Sequence, residues 1–493
     1  MSANILLVCP NRQKFVHPVP PIGALYLAAI LRSKGHNVSL IDMMFSGDPA
    51  ADLASALKRA SPDIVGISIR NTDTLFSKEL SEMPDLKKFV GIIKSLTRAR
   101  ILLGGAGYSF FAEEILMDLE ADYGIQGEAD RSLPSLVERI ESGASPDDIP
   151  GLVRFEDGKV VSNPPDVVDD LDSIPPQAID LIDFRMYGKR RGNMGVFTRK
   201  GCPMECIYCP EERIHGRVPR LRSAEVVCDE IDYMLKKTSM PYFDFADTLF
   251  NVPRAHAMKV CEEIVRRGLK IKFEVELNPV GQDEESVRLL KAAGCVGVDL
   301  TTDTGSEKML KNLKKGFTAG MLNDTARLYQ KHGIPYTVGF LLGGPGEDAK
   351  TLDESIRFAE SLPGVTSFYF GVGIRMFKGT ELARDHSNPE HRVGDRKQRG
   401  GDDLHDLCFY LSPDFDDACA ERLKDFYLKD KRCYICDLLY EGEQLRAMKL
   451  ADRMNVRPIW KHGKFPRYFE LLMHLGRSPK VAWDARLRRF TSG

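Results

Sequence analysis

Residues 201–210 read GCPMECIYCP and place Cys202, Cys206 and Cys209 on one short loop. The loop directly follows an apolar run, Gly195–Thr198, that predicts a β-strand. Thiolates are the usual ligands of iron–sulfur clusters, and a cubane of four irons normally takes four of them. Three cysteines therefore predict a 4Fe–4S cluster in which one iron is left open for a substrate or cofactor.

A structural zinc site is the alternative for the same loop. Structural zinc takes four ligands, usually cysteine or histidine. His215 follows the loop closely enough to supply the fourth ligand, so the spacing alone leaves zinc open.

The part of the chain that starts at this loop alternates short apolar runs with amphipathic stretches. Six strand–helix units predict a partial (β/α)6 barrel over residues 191–390, with its chemistry at the carboxyl ends of the strands. The strands predicted after the loop are Tyr242–Phe245, Ile271–Val275, Gly297–Leu300, Tyr336–Leu341 and Ser367–Gly373.

The residues before the loop predict a second α/β domain. Over residues 1–145 the alternation of strands and helices is typical of a doubly wound, Rossmann-like parallel sheet. Residues 146–190 are interrupted by prolines and predict a linker with a small hairpin at Leu152–Val161. Residues 391–493 predict a mostly helical C-terminal region. The fold class is therefore α/β throughout the first two domains.

The composition favours a cytoplasmic protein with no nucleic-acid partner. The 493 residues carry a net charge of −2, with 43% hydrophobic and 28% charged residues. This balance gives no electrostatic case for nucleic acid. We expect no signal peptide and no transmembrane segment from the sequence. The 11 cysteines are not spaced like a secreted disulfide framework and favour metal binding.

The cysteine loop resembles the signature of the radical S-adenosylmethionine (SAM) superfamily. That signature has the same spacing and an aromatic residue before the third cysteine, a position that Tyr208 occupies. In the family, the open iron chelates the amino and carboxylate groups of SAM. An electron, from a donor such as flavodoxin or ferredoxin, then cleaves the sulfonium to yield a 5′-deoxyadenosyl radical.

The same resemblance implies roles for residues on the later strands. YFDFADTLFN (242–251) stands where the family grips the methionine amino group, and GFLLGGPGE (339–347) resembles the segment that packs on adenine. DTGS (303–306) stands where relatives often have Glu-Ser-Gly-Ser, so Asp303 has a shorter reach. The implied cofactor contacts are Asp244, Asp247, Asn278, Asp303, Gly343 and Gly344, and the implied catalytic residues are Glu274, Glu276 and Arg375.

The N-terminal domain resembles the cobalamin-binding domain that precedes many radical SAM barrels. The matching stretches are PPIGALYLA (20–28), GISIRN (66–71), LGGAGY (103–108) and QGEAD (126–130). The family binds the corrin ring at the carboxyl ends of these strands, as the crevice rule for open sheets requires. The implied contacts are Ser68, Arg70, Asn71, Gly104, Gly105, Gly107, Tyr108, Gly127 and Glu128. The alternative is a degenerate domain that binds no cobalamin.

One departure concerns the lower face of cobalt. The Asp-x-His-x-x-Gly motif that supplies an axial histidine in many cobalamin proteins is absent, and His17 is the one histidine of the first loop. Arg70 follows the third strand, where a cation can approach the lower face. We expect cobalamin without a histidine ligand and a four-coordinate, nucleophilic cobalt(I) state.

The leading functional prediction is a cobalamin-dependent radical SAM methyltransferase. It would move a methyl group from SAM, via methylcobalamin, to an unactivated carbon of a small molecule or lipid. If Glu274 or Glu276 occupied the open iron, radical cleavage would be blocked and polar methylation would be preferred. Two alternatives remain: radical chemistry without methyl transfer, such as ring formation, oxidation or rearrangement, and a cobalamin- or redox-sensing regulator.

The C-terminal region carries two further features. Cys433 and Cys436 form a Cys-x-x-Cys pair on a predicted helix, with core cysteines favoured over a second cluster. Residues 457–489 are basic and contain aromatic residues, which is typical of a solvated helical face and also suits an anionic lipid or acidic partner.

Overall fold

We describe a computed structural model over residues 2–13, 18–73, 82–190, 192–386, 392–394, 408–430 and 432–435. The chain forms two compact units. The first holds the described residues up to 202 together with residues 210–240, and the second holds residues 203–209 and the described residues from 241 onward. His17, Cys436 and the basic tail lie outside the described residues. Of the helices in the described ranges, none combines the length and apolarity needed to cross a membrane.

The first unit is built on a mixed sheet with strand order β2-β1-β3-β4-β5-β6-β7. Strands β1 to β5 are parallel, and β6 and β7 are antiparallel. Its elements are β1 Asn4–Cys9, α1 Ile22–Ser33, β2 Asn37–Asp42, α2 Pro49–Ala60, β3 Ile64–Ser68, α3 Met83–Leu96, β4 Arg100–Gly104, α4 Ala106–Phe110, α5 Ala112–Leu119, β5 Tyr123–Ile125, α6 Ser132–Ser142, β6 Leu152–Glu156 and β7 Lys159–Ser162. The predicted doubly wound sheet is confirmed, and the predicted hairpin extends that sheet.

Continuous apolar runs explain why the central strands of this sheet are buried on both faces. Strand β1 is buried at five successive positions after Asn4, which is typical of a parallel strand covered by helices on both faces. Helix α1 buries Ala24, Ala28 and Leu31 against the same core. The strand order reverses at β1 and β3, and their carboxyl ends meet at the crevice where ligands of open α/β sheets bind.

The rest of the first unit leads into the cysteine loop. Its elements are α7 Phe184–Lys189, β8 Met194–Val196, β9 Arg199–Lys200, α8 Glu212–His215, β10 Arg220–Leu221 and α9 Ala224–Thr238. Strands β9 and β10 pair antiparallel, with Lys200 opposite Arg220. This pairing joins the segment before the cysteine loop to a segment after it.

The second unit contains five of the six parallel strands predicted for the barrel, whereas the first predicted strand, Gly195–Thr198, corresponds to β8 and belongs to the first unit. Within it the strand order is β11-β12-β13-β14-β15-β19, and successive strands run parallel. Its elements are β11 Tyr242–Phe245, α10 Arg254–Arg267, β12 Lys272–Leu277, α11 Glu284–Ala293, β13 Cys295–Asp303, α12 Glu307–Asn312, α13 Ala319–His332, β14 Tyr336–Leu342, α14 Ala349–Ser361, β15 Ser367–Val372, β16 Ile374–Arg375, α15 Glu381–Asp385, β17 Arg392–Gly394, β18 Cys408–Tyr410, α16 Asp417–Lys429 and β19 Cys433–Ile435.

The C-terminal residues correct one prediction. Cys433 lies on strand β19, which pairs with β15, and the prediction of a helix there was wrong. The reason is tertiary, because Cys433–Ile435 is short and finds its partner strand more than 60 residues earlier in the chain. The predicted helical character is seen in α16.

Candidate functional site

The cysteine loop is fixed in the second unit by an apolar anchor. Ile207, between the second and third cysteines, packs with Leu313, Met376 and Leu382. Its N–H donates to the Leu313 carbonyl at 3.4 Å, and its carbonyl accepts from the Leu382 N–H at 2.9 Å. The Cys209 N–H donates to the Cys206 carbonyl at 3.1 Å, which closes a tight turn. Both thiols are half-buried beside this anchor.

Cys202 is held by the first unit. Its thiol is buried, and its N–H donates to the carbonyl of Gly216 at 3.1 Å. The preceding Gly201 has φ +87°, and a Cβ there would lie 2.4 Å from the Val218 carbonyl oxygen. Only glycine fits both the left-handed conformation and this close approach.

The donor set suits an iron–sulfur cluster better than zinc. Among the described residues no disulfide forms, and no three His, Cys, Asp or Glu side chains surround a point where one metal ion could bind. His215, the candidate fourth zinc ligand, forms no such group with the loop cysteines, and its Nδ1 lies 2.8 Å from Glu128. In a cubane cluster the three thiolates need not converge on one metal ion, because each thiolate binds its own iron.

A buried ion pair stands behind the loop in the second unit. Lys315 Nζ lies 2.6 Å from Asp303 Oδ2 and 3.1 Å from the Tyr208 hydroxyl, and that hydroxyl also donates to Asp303. Burial alone lowers the pKa of Lys315, but Asp303 and the nearby cysteines raise it overall. Burial and Asp303 raise the pKa of Tyr208 well above its ordinary value. The group therefore holds one ammonium, one carboxylate and one neutral phenol.

Carboxylates line one face of the second sheet. Side chains alternate between faces, so Glu274 and Glu276 on β12 share a face. Asp244 on β11 is in register with Glu274, and Asp299 on β13 is in register with Glu276. Glu274 is buried, whereas Glu276 is exposed. Gly339 of β14 has open space where a Cβ would stand, so this face has room for a polar ligand.

Two asparagines connect the ends of β11 and β12 to the loop. The Asn251 side-chain amide donates to the Asn278 carbonyl at 3.0 Å, and its oxygen accepts from the Asn278 N–H at 3.2 Å. The Asn278 side-chain amide in turn lies 3.8 Å from the sulfur of Met204. Asp247, on the same loop as Asn251, is also buried.

The glycine pair after β14 binds a buried glutamate. Glu347 Oε2 accepts from the N–H groups of Gly343 and Gly344 at 2.5 and 3.1 Å. Burial raises the pKa of Glu347 to about 7, although these N–H groups oppose the rise. Its Oε1 is buried and meets no hydrogen-bond partner in the described part of the chain.

Arg375 is buried within the second unit. Its Nη1 donates to the carbonyls of Met376 and Cys408 at 3.0 and 3.1 Å, and its guanidinium lies over Phe377. These contacts fix the guanidinium against the small antiparallel sheet of β16, β17 and β18.

The loops after β3 and β4 pack backbone to backbone in the first unit. The Gly107 N–H donates to the Ile69 carbonyl at 3.0 Å, and a Cβ on Gly107 would lie 2.9 Å from the backbone of Arg70. A Cβ on Gly105 would lie 2.5 Å from the Ile69 carbonyl oxygen. These glycines therefore let the loop after β3, which contains Asn71, closely approach the segment after β4, while Ser68 lies at the end of β3 in register with Gly104.

Tyr108 and Arg70 have opposite environments. Tyr108 is fully buried, and its hydroxyl fills the space beside Gly124 that a Cβ would need. The Arg70 residue is exposed overall. Desolvation of its guanidinium nevertheless lowers the pKa of that group, and the nearby Tyr187 opposes this decrease. An arginine stays charged in proteins. Arg70 therefore presents a cation at the end of the third strand.

Glu128, next to Gly127, is the centre of a buried ionic cluster in the first unit. Its oxygens accept from Arg220 at 2.6 and 2.9 Å, from His215 at 2.8 Å and from the Val168 N–H at 2.9 Å. Burial alone raises the pKa of Glu128, but these donors and Lys200 hold it well below its ordinary value.

Two family models match the two halves of this architecture. Residues 9–137 match the B12 binding domain, and residues 196–359 match the Radical SAM superfamily. The chain is therefore a radical SAM protein with a B12-binding domain. The pairing predicted from the sequence is confirmed.

Relatives of this radical SAM protein include enzymes with different reactions. The chain is 26% identical to tryptophan 2-C-methyltransferase of Streptomyces laurentii, over 77% of this chain and 74% of that protein. It is also 26% identical to the anaerobic magnesium-protoporphyrin IX monomethyl ester cyclase of Rubrivivax gelatinosus, over 69% of this chain and 62% of that protein.

A solved structure shares the fold. The radical S-adenosylmethionine methyltransferase TsrM of Kitasatospora setae, solved with cobalamin and a 4Fe–4S cluster bound, superposes with a TM-score of 0.84. The match covers 97% of this chain and 99% of that chain at 23% identity. At this identity the likeness concerns the architecture.

Sequence reasoning missed three residues that organise the radical SAM protein. Lys315 carries no motif, and its only signal is its place after a helix and before Gly316, which has φ +73°. Arg220 sits outside the resembling stretches. Glu347 closes the quoted glycine motif but gave no sign of being buried.

Proposed function

We propose that this chain is a cobalamin-dependent radical SAM methyltransferase that moves a methyl group from SAM, through cobalamin, to a carbon of a small molecule. The observation that carries the proposal is the match of one chain to both a B12-binding and a radical SAM model. The relationship to a tryptophan methyltransferase supports methyl transfer as the reaction.

In this proposal Cys202, Cys206 and Cys209 hold the 4Fe–4S cluster. Bound there, the cluster supplies an open iron for chelation and a source of single electrons, while cobalamin in the first unit supplies a carrier for methyl groups. Ile207 and Gly201 keep the loop in shape. Asp303 and Lys315 engage the Tyr208 hydroxyl, so the ring of Tyr208 rather than its hydroxyl would contact a ligand.

The polar face of the second sheet would orient SAM and the substrate. Asp244 and Asp247 offer carboxylates to an ammonium group, and Asn278 offers an amide held by Asn251. Glu274 and Glu276 are the carboxylates nearest in register to Asp244 and are our candidates for catalytic groups. The segment that contains Gly343 and Gly344 would pack on adenine, and Glu347 fixes the N–H groups of both glycines.

In the first unit, the loops that Gly104, Gly105 and Gly107 bring together would bind the corrin ring. Arg70 would face the lower side of cobalt in place of a histidine. We further propose a cytoplasmic location, a flavodoxin or ferredoxin as electron donor, and a small molecule or lipid as substrate.

Product analysis tests the proposal without knowledge of the substrate. The protein is reconstituted anaerobically with iron, sulfide and cobalamin, and then given SAM and a strong reductant. Methyl transfer predicts S-adenosylhomocysteine in proportion to the cobalamin bound. Formation of 5′-deoxyadenosine alone would contradict methyl transfer.

The cyclase relative favours radical chemistry without methyl transfer as a second candidate. It predicts 5′-deoxyadenosine without S-adenosylhomocysteine from the same reconstituted protein. Omitting cobalamin separates the two further, because only the methyl-transfer reaction then loses its product.

A further inference from the structure

We propose that Glu128 is a positioning residue for Cys202, acting through Arg220 and His215. The inference rests on the proposed function, in which Cys202 is a ligand of the cluster. It gives Glu128 a task different from the cobalamin contact that the sequence predicts.

The hydrogen-bonding capacity of Glu128 is already filled. A carboxylate offers about four lone-pair sites on its two oxygens. Oε1 accepts from Arg220 Nη2 at 2.6 Å and from His215 Nδ1 at 2.8 Å, and Oε2 accepts from Arg220 Nη1 at 2.9 Å and the Val168 N–H at 2.9 Å. The side chain has 0% exposure. No acceptor site is left for a cofactor.

The same contacts lead directly to Cys202. Arg220 also donates to the His215 carbonyl at 2.8 Å, so Glu128 and Arg220 together fix both the ring and the backbone of His215. The next residue, Gly216, accepts the Cys202 N–H at 3.1 Å. A shift of His215 therefore moves the hydrogen bond that holds Cys202.

The chain on the other side of the cysteine is tied to the same carboxylate. Arg220 pairs with Lys200 in the β9–β10 ladder, and the Lys200 ammonium lies 3.9 Å from Glu128. A Cβ on Gly201 would lie 3.1 Å from the His215 carbonyl oxygen, so the backbone before Cys202 touches the segment that Glu128 fixes.

A loss of charge at Glu128 should loosen the cluster. Glu128→Gln keeps the shape but cannot accept from both arms of Arg220 and from His215. Loss of a group that orients a metal ligand typically costs about 10-fold or more in metal affinity. We expect a chelator to remove iron from the reconstituted full-length variant about 10-fold faster than from the unaltered protein.

Glu230→Gln is the matched control. Glu230 is also wholly buried and pairs with an arginine, Arg222, at 2.6 Å in the same unit, but its contacts do not include the segment from His215 to Arg220. We expect its iron loss to stay within about twofold of the unaltered protein, since its ion pair does not orient a metal ligand. His215→Ala, which removes one donor, gives a second variant with a smaller acceleration if Glu128→Gln fails to fold.

The outcomes separate the two levels of inference. Absence of a cluster in the unaltered protein, or its persistence in Cys202→Ala, counts against the proposed function. A cluster that is held equally well by Glu128→Gln, or lost equally fast from Glu230→Gln, overturns the positioning role. Loss of cobalamin from Glu128→Gln with unchanged iron release also overturns it, in favour of a direct cofactor contact.

Discussion

Lys315 Nζ lies 2.6 Å from Asp303 Oδ2, and both groups are shielded from solvent behind Tyr208. Asp303 has φ +66°, a conformation that a non-glycine residue adopts only with support from its surroundings. The ion pair gives that support, so it shapes the end of strand β13 next to the cysteine loop.

Removing the cation should destabilise the second unit. Lys315→Met leaves the Asp303 carboxylate without its partner, and breaking a buried pair from one side costs about 3 kcal/mol. Urea unfolding followed by circular dichroism should show a lower midpoint. Lys308→Met is the control, because its pair with Asp348 at 3.1 Å is largely exposed and should contribute less than about 1 kcal/mol.

The double variant Lys315→Met with Asp303→Asn should recover part of this loss, because no uncompensated charge remains. If the double variant is no more stable than Lys315→Met alone, the ion pair is not the reason for the destabilisation.

Local patterns predicted the two sheets because a short apolar run followed by an amphipathic stretch can be recognised within each strand–helix segment. The predicted strands 242–245 and 336–341 agree with β11 and β14 to within one residue. The Lys315–Asp303 pair could not be predicted, since it joins the end of a strand to a residue beyond the next helix. Strand β19 was not predicted for the same reason, because Cys433 becomes part of a sheet only through pairing with the distant strand β15.

The sequence could predict which residues belong to the candidate site, but not which ion pairs those residues form. The sequence predicted Glu128 and Asp303 as cofactor contacts, and no pattern indicated that each would be engaged by a buried cation. Their positions on the chain are visible in the sequence, but their charge compensation comes from segments far away.

If the loop binds the cluster, replacing a loop cysteine should remove the cluster, whereas replacing a cysteine elsewhere should not. Alanine at Cys202, Cys206 or Cys209 should abolish the charge-transfer absorption of the reconstituted cluster and most of its bound iron, because each thiolate ligates a separate iron. Cys419→Ala on helix α16 is the control and should keep the cluster, since that thiol contacts a carbonyl of its own helix start. Retention of full iron by any of the three loop variants would contradict the assignment.

Arg70 predicts the state of bound cobalamin. If the lower face of cobalt carries neither a histidine nor the cofactor's own benzimidazole, the cobalt(II) form should show no nitrogen splitting in its electron paramagnetic resonance spectrum. Arg70→Ala should weaken cobalamin retention and slow S-adenosylhomocysteine formation, while Arg59→Ala, an exposed helix residue, should change neither. Unchanged loading and methyl transfer in Arg70→Ala would exclude the role proposed for this cation.

Glu347 predicts a pH dependence of stability. Its pKa is about 7 in the folded protein against an ordinary 4.5, so the folded state binds more protons between these values. The contribution is fully present below pH 4.5 and is lost as pH rises through 7, by at most about 3 kcal/mol. The difference in unfolding free energy between the unaltered protein and Glu347→Gln should therefore fall over this window.

Asp348→Asn provides a control of opposite sign. The Thr351 backbone N–H and Lys308 hold the pKa of Asp348 below its ordinary 3.8, so its contribution is present above that pH and is lost on acidification. A flat difference for Glu347→Gln across pH 4.5 to 7 would show that the buried carboxyl does not titrate there.

The close contact between the two crevice loops at Gly107 should be needed for cobalamin binding. In Gly107→Ala the new methyl group would stand 2.9 Å from the backbone of Arg70 and Asn71, so the loop after β3 must move. Overpacking of this kind costs about 1–3 kcal/mol, and the moved loop should bind cobalamin more weakly. Gly91→Ala, inside helix α3 with nothing within 4 Å, should instead stabilise the protein by about 0.5–1 kcal/mol and leave cobalamin binding unchanged. Thermal unfolding and cobalamin titration of both variants measure the two effects, and equal cobalamin affinity in Gly107→Ala would mean that the corrin ring does not depend on this loop contact.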